Sequence, residues 1–187
     1  MAINQTIADF RNKAARDDFA RKNLYRVMSL KCAAIEFTED DLLYCTSAQI
    51  PGREIPHGAV SYMGMKMNYP LTSVSYENVD SYKLSFYLDR RSTMAERFEV
   101  ASRYMFNDLS STGDSRFPSS EDTLTLAVLN FDLEPIEYIT FNGVSFKSFG
   151  SVDVDWGDST GEALKIDVTF TYISYTRTGS DTVFVAT

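Results

Sequence analysis

The sequence predicts a mostly β domain, an antiparallel sandwich or barrel carrying two short-to-medium helices. Three observations predict it. Tyr82, Leu84, Phe86 and Leu88 alternate with Ser81, Lys83, Ser85 and Tyr87, and Leu164, Ile166, Val168, Phe170 and Tyr172 alternate with Lys165, Asp167, Thr169 and Thr171. A period of two describes strands with one buried and one wet face. Only two segments show helical spacing, and no Pro-rich or Gly/Ser-rich linker divides the 187 residues, so the whole chain 1–187 reads as a single domain.

Taken in order, Ile3, Ile7, Phe10 and Ala14 recur at spacings of four, three and four, which predicts a short amphipathic helix within an N-terminal segment 1–22. Strands are expected at 23–31, 42–50 and 64–75, more weakly than at 81–88. The stretch 51–63, with Pro51, Gly52, Pro56 and Gly58, reads as an extended exposed loop. Met94, Phe98, Ala101, Met105 and Leu109 form a stripe that predicts a helix over 92–109, with Ser92 and Thr93 able to cap it. A second exposed loop is expected at 110–122. Leu124, Leu126 and Val128 continue the alternation, and 137–147 is a further strand candidate with a hairpin turn at Asn142-Gly143. Trp156 to Gly161 reads as a loop before the last long strand.

Composition narrows the class. Apolar residues make up 44% and aromatics 13%, which argues for a packed core. No run reaches the roughly 18 to 20 apolar residues of a membrane span, and the first residues lack an apolar signal core; the expectation is a soluble protein made in a cytoplasm, with no membrane insertion. The net charge is −8 and uneven: residues 1–31 carry +4 and the remainder −12. An acidic body argues against tight DNA binding, which draws on Lys and Arg, while the basic start suits either an acidic neighbour or a solvated helix face. Cys32 and Cys45 make no disulfide framework and read as buried thiols.

Residue patterns for chemistry are sparse. His57 is the one histidine and lies in a Pro/Gly context, so no triad is singled out. The cysteines have no partner at zinc-ligand spacing. Glu39-Asp40-Asp41 and the group Asp153, Asp155 and Asp158 could hold a hard cation; the second has acidic spacing like an EF-hand loop, but Trp156 interrupts it and no flanking helices are expected. A phosphate-binding Gly-rich loop is absent. The expectation is a protein that is not an enzyme and takes no cofactor. A small carbohydrate-binding or hydrolytic β-sandwich is the alternative from another class, since carboxylate separation is a spatial fact.

Three collinear segments carry a family resemblance. Asp18-Phe19-Ala20-Arg21-Lys22-Asn23-Leu24-Tyr25-Arg26-Val27 resembles the start of tail tube proteins of contractile-tailed, T-even-like bacteriophages, where a short helical segment leads into the first strand through a GD-x-A-R-x-N-L-F-x-V pattern. Cys45, Ala48, Pro51 and Gly52 match that family's C-x-x-A-x-x-P-G segment, and Asp153-Val154-Asp155-Trp156 with the strand to Tyr175 is similar to its closing L-D-W-D turn and last strand. Departures are Asp17 at the usual Gly, the Ser-rich 110–122 and the residues after Tyr175. The resemblance implies a structural subunit whose hexameric rings share an inner β-barrel and stack into a conduit for genome delivery. Sheath, baseplate and tape-measure proteins would be its partners. DNA would pass without specific binding, and the protein would reside in the virion tail after assembly in the host cytoplasm. A baseplate tube-initiator and a secretion-system or bacteriocin tube protein are close alternatives. On this reading the 51–63 loop would supply inter-subunit contact through Ile50, Ile55, Val60, Tyr62 and Met63. The wet strand face Lys165, Asp167, Thr169 and Thr171 would line the lumen, where an acidic or neutral wall avoids trapping DNA.

Overall fold

The computed structural model describes residues 6–17, 21–33, 35–113, 118–152, 154 and 161–179. Helix α1 (Ile7–Asp17) leads to β1 (Tyr25–Cys32), β2 (Ile35–Glu36), the one-turn α2 (Glu39–Leu42) and β3 (Cys45–Ser47). A ribbon follows, made of β4 (Arg53–Glu54), β5 (His57–Tyr62), β6 (Met65–Pro70) and β7 (Ser75–Tyr76). Then come β8 (Tyr82–Tyr87), α3 (Thr93–Met105), and the small pair β9 (Phe106–Asn107) and β10 (Thr112–Gly113). The chain ends in β11 (Thr123–Leu129), β12 (Pro135–Asn142), β13 (Ser145–Phe149), β14 (Lys165–Thr171) and β15 (Ser174–Gly179).

Two antiparallel sheets face each other, in the orders β15-β12-β11-β1-β2 and β13-β14-β8-β3. No closed barrel forms among the described residues. The two alternations read from the sequence become β8 and β14, and they pair with each other, Ile166 opposite Phe86 and Val168 opposite Leu84. Their apolar faces meet Val27, Leu30, Leu124, Leu126, Ile139 and Phe141 of the other sheet in one core. Tyr82 lies 4.7 Å from Phe141 across the gap, and its hydroxyl donates to the carbonyl of Gln49 at 2.7 Å, which satisfies the polar end of a buried ring. Tyr172 does the same, donating to the Glu77 carbonyl at 2.5 Å. Helix α3 closes one end of the sandwich: Met94, Phe98 and Ala101 are buried, and Phe98 sits 5.0, 5.6 and 6.2 Å from Phe37, Phe86 and Phe146.

Several expectations need correction. The Asn142-Gly143 pair is not a hairpin turn. β12 and β13 belong to different sheets, and the chain turns a corner between them. Gly143 has φ +64, and a Cβ there would lie 2.6 Å from Ile173 Cδ1. Val144 N–H donates to the Asp122 carbonyl at 3.0 Å and Ile173 N–H to the Asn142 carbonyl at 3.0 Å, so long-range bonds replace the local ladder of a hairpin. The predicted helix 92–109 stops at Met105, and Leu109 stands in the turn between β9 and β10, 96% exposed. Ser92 occupies the position before α3 with φ 54 and makes no side-chain cap. Asp89 caps instead, accepting from Thr93 N–H and Thr93 Oγ1, each at 2.7 Å, and these bonds hold its carboxyl below the usual carboxylate range. The stretch 51–63 is not a loop: it holds β4 and β5. Gly113 of the 110–122 loop pairs with Phe106. The Trp156–Thr160 turn and the candidate cation ligands Asp153, Asp155 and Asp158 lie outside the described residues.

The other acidic run serves local structure. Asp41 completes a capping box with Thr38 at the start of α2 and accepts from Arg97 Nη1 of α3 at 2.6 Å. Glu39 pairs with Arg26 Nη2 at 3.6 Å. Both thiols sit in apolar surroundings, Cys32 fully buried and Cys45 partly so; burial pushes Cys32 up to about 12 and Cys45 up to about 11.

Candidate assembly surfaces

The ribbon of β4 to β7 leaves the sandwich between β3 and β8. At its base Glu77 N–H donates to the Gly52 carbonyl at 3.0 Å, and Arg53 and Glu54 pair with Tyr76 and Ser75. Leu71 N–H then bonds the Pro56 carbonyl at 2.8 Å and the ladder resumes as β5 and β6. Met63 and Gly64 close it with φ 49 and 79. Positive φ at both central residues is what a type I′ turn requires, and it matches the twist of the strands it joins. Six residues of strand carry the tip about 20 Å from the base.

Register gives this arm two faces. Gly58 with Tyr69, Val60 with Met67 and Tyr62 with Met65 stand on one side; His57 with Pro70, Ala59 with Asn68 and Ser61 with Lys66 stand on the other. One face is therefore apolar along its length, with the Tyr69 ring lying over Gly58, where a Cβ would meet its Cζ at 2.8 Å. Every residue of β5 and β6 except Gly58 is exposed: Tyr62 is 73%, Met65 78% and Met67 67% accessible. An isolated two-stranded hairpin is marginal in water, and exposed apolar patches are a common feature of association surfaces.

The five residues singled out for contact are thus divided. Val60 and Tyr62 share the apolar face, Met63 sits in its terminal turn, and Ile55 lies at its base. Ile50 is elsewhere, on a cleft of about 430 Å³ shared with Leu24, Tyr25, Val128 and the basic Arg21 and Lys22. Met65, Met67 and Tyr69 complete the face and were not singled out. Their signal is the alternation Met65, Met67, Tyr69 with Lys66 and Asn68 after a glycine.

Lys165, Asp167, Thr169 and Thr171 stand together on the outer face of β14, opposite the buried Ile166, Val168 and Phe170. Tyr87, Ser85 and Lys83 of β8 are their neighbours in register. Ser85 Oγ donates to Asp167 Oδ1 at 2.6 Å, and Lys165 Nζ lies 5.2 Å from the Tyr87 ring centroid. The four-stranded face is rich in hydroxyls, and the paired strands β8 and β14 carry two lysines against one aspartate, so their face is not acidic.

Helix α1 starts with a reciprocal cap in which Thr6 Oγ1 donates to Asp9 Oδ2 at 2.7 Å and Asp9 N–H donates back to Thr6 Oγ1 at 3.3 Å. Hydrogen bonds from Thr6 hold the Asp9 carboxyl below its usual range. Ile7 and Phe10 of the apolar stripe are exposed, as are Arg11 and Lys13; Ile3 lies outside the described residues. Past the helix, Arg21 rests its guanidinium 4.1 Å from the Phe131 ring centroid.

Among the described residues the fold is an antiparallel β-sandwich carrying one long, exposed, two-faced arm. Comparison with known sequences gives the particular kind: the chain belongs to the phage tail tube protein family, whose sequence profile matches residues 18–178. No curated protein matches the sequence significantly. Solved structures share the fold at low identity. A chain of the sheath/tube terminator of the extracellular contractile injection system PVC, in its extended state, is 9% identical with TM-score 0.54, covering 95% of this chain and 100% of that one. A chain of the PVC sheath-tube complex is 9% identical with TM-score 0.52, covering 90% and 97%. A chain of the anti-feeding prophage baseplate is 14% identical with TM-score 0.51, covering 74% and 81%. The chain is a structural subunit of a tail tube, a component of the virion tail.

Proposed function

We propose that copies of this chain close into hexameric rings, that the rings stack into a hollow conduit for the genome inside a contractile sheath, and that the arm is the contact between copies. The arm's apolar face carries this reading. Val60, Tyr62, Met65, Met67 and Tyr69 are aligned by strand register and left uncovered by their own chain, among the described residues. In a neighbour's groove they supply an anchor of the large apolar type that dominates interfaces. The whole of 1–187 acts as one tube domain, with 1–22 as a basic segment that docks on an acidic neighbour. The β14 face of Lys165, Asp167, Thr169 and Thr171 lines the lumen, and its hydroxyls and near-balanced charge let DNA slide without capture. Sheath, baseplate and tape-measure proteins are the partners, and assembly takes place in the host cytoplasm.

Negative-stain electron microscopy over a concentration series tests the reading. Six-fold rings or tubes from the parent chain, and their loss when Val60, Tyr62, Met65 and Met67 become Ser, are expected. Normal tubes from that variant would remove the arm's role. Rings that never stack would point to a tube-initiator.

A further inference from the structure

The apolar face of the arm is built largely from thioethers. Of seven methionines in the chain, three fall within five residues, at 63, 65 and 67. They are 85%, 78% and 67% exposed, whereas Met94 on the buried face of α3 is 1% exposed. Leucine would give the same face similar apolar area. Methionine gives a flexible surface that adapts to its groove, and it also gives a sulfur that oxidises.

We propose that Met65 and Met67 are an oxidative modification site, and that a hydroperoxide reaching the free chain switches off its assembly. The inference rests on the reading of the arm as the inter-copy contact. The sulfur lone pair attacks one peroxide oxygen. The O–O bond breaks as the S–O bond forms, sulfur is oxidised by two electrons, and the second peroxide oxygen takes the proton of the first and leaves as an alcohol, or as water where the oxidant is hydrogen peroxide. The product is a sulfoxide, a strong acceptor at the centre of a face where the register places only Tyr69, Val60, Tyr62 and Gly58 beside it. Lys66 and Ser61 stand on the opposite face, which leaves the phenol hydroxyls of Tyr62 and Tyr69 as the side-chain donors that the register places on this one. Drying that polar oxygen against an apolar groove, and drawing the tyrosine hydroxyls to it, opposes docking. Once the face is covered the sulfurs are shielded, so oxidation acts on free subunits and spares the finished assembly.

The test uses the purified full chain and hydrogen peroxide, limited to about one added oxygen per chain. The sample is then allowed to assemble, sedimented, and both fractions are peptide-mapped. Sulfoxide at Met65 and Met67 should be enriched about tenfold in the unassembled fraction, and methionine sulfoxide reductase should return those chains to the assembling pool. A Met65→Leu, Met67→Leu chain should assemble equally well before and after peroxide. Equal distribution of the two sulfoxides between fractions would overturn the proposal, as would a Leu variant that loses assembly to peroxide as fully as the parent. If the Ser variants of the arm assemble normally, the docking reading fails and takes this inference with it. If the arm is required but the sulfoxides partition equally, only the oxidation site falls.

Discussion

Replacing Tyr62 and Met67 by Ser isolates the apolar face of the arm from its backbone. The two side chains are diagonal neighbours on that face, since Val60 pairs with Met67 and Tyr62 with Met65. They are 73% and 67% exposed in the single chain, so docking would cover most of each. Full burial of a large apolar side chain contributes about 1.5–3 kcal/mol. Scaled by the area left to cover, the pair contributes about 2–4 kcal/mol per contact, a factor of about 30 to 1,000 in the association constant. The hairpin itself is held by ladder bonds and a two-residue turn, so the fold of the subunit should not change. The assay is the concentration at which half the protein sediments as assembly, with circular dichroism and the urea midpoint as checks on folding. Ser61→Ala with Lys66→Gln, on the opposite face, is the control. An unchanged threshold for the Ser pair, or an equal shift for the control, would refute the assignment of the contact to this face.

Other outcomes follow from the core and the site. Phe98→Ala removes the ring shared by Phe37, Phe86 and Phe146 and should cost about 3–5 kcal/mol in urea unfolding. Gly143→Ala forces a Cβ toward Ile173 at positive φ and should destabilise by about 1–3 kcal/mol, with Ile173→Ala relieving the steric part and not the backbone part. Burial raises Cys32 from 9.0 to about 12, so the unfolded chain ionises first; the stability this confers is full below pH 9 and lost as pH rises toward 12. The urea midpoint should therefore fall across that window, and less so in Cys32→Ala. Asp167→Lys would place a third cation beside Lys83 and Lys165 and remove the Ser85 bond; tubes should form, and genome ejection through them should slow. Unchanged ejection would count against β14 as lumen.

What was legible in the sequence depended on whether a face meets the core. β8 and β14 bury one face each, so their alternation of apolar and polar residues was plain. Their pairing with each other was not, because the partners are distant in the chain, as Phe86 and Ile166 are. The arm exposes both faces and carries two prolines and two glycines between 51 and 58, so 51–63 read as a loop although β5 alternates like any strand. Asn142-Gly143 has the same local chemistry in a hairpin and in a corner; the bonds to Asp122 and Ile173 decide between them, and those partners are distant in the chain. Helix α3 was found by its stripe, but its end was not, since Leu109 continues the spacing of Met105 after the backbone has turned extended at Phe106.

The edges of the two sheets differ in length. β2 and β3 run two and three residues at one edge of each sheet, while β15 and β13 run six and five at the other. Each sheet therefore has two edges that are not interchangeable. Matching long flank to long flank would join two copies about a two-fold axis and stop there. Joining unlike flanks makes each addition repeat the last, and the fixed rotation per step then decides whether the series returns to its start as a ring or climbs as a helix.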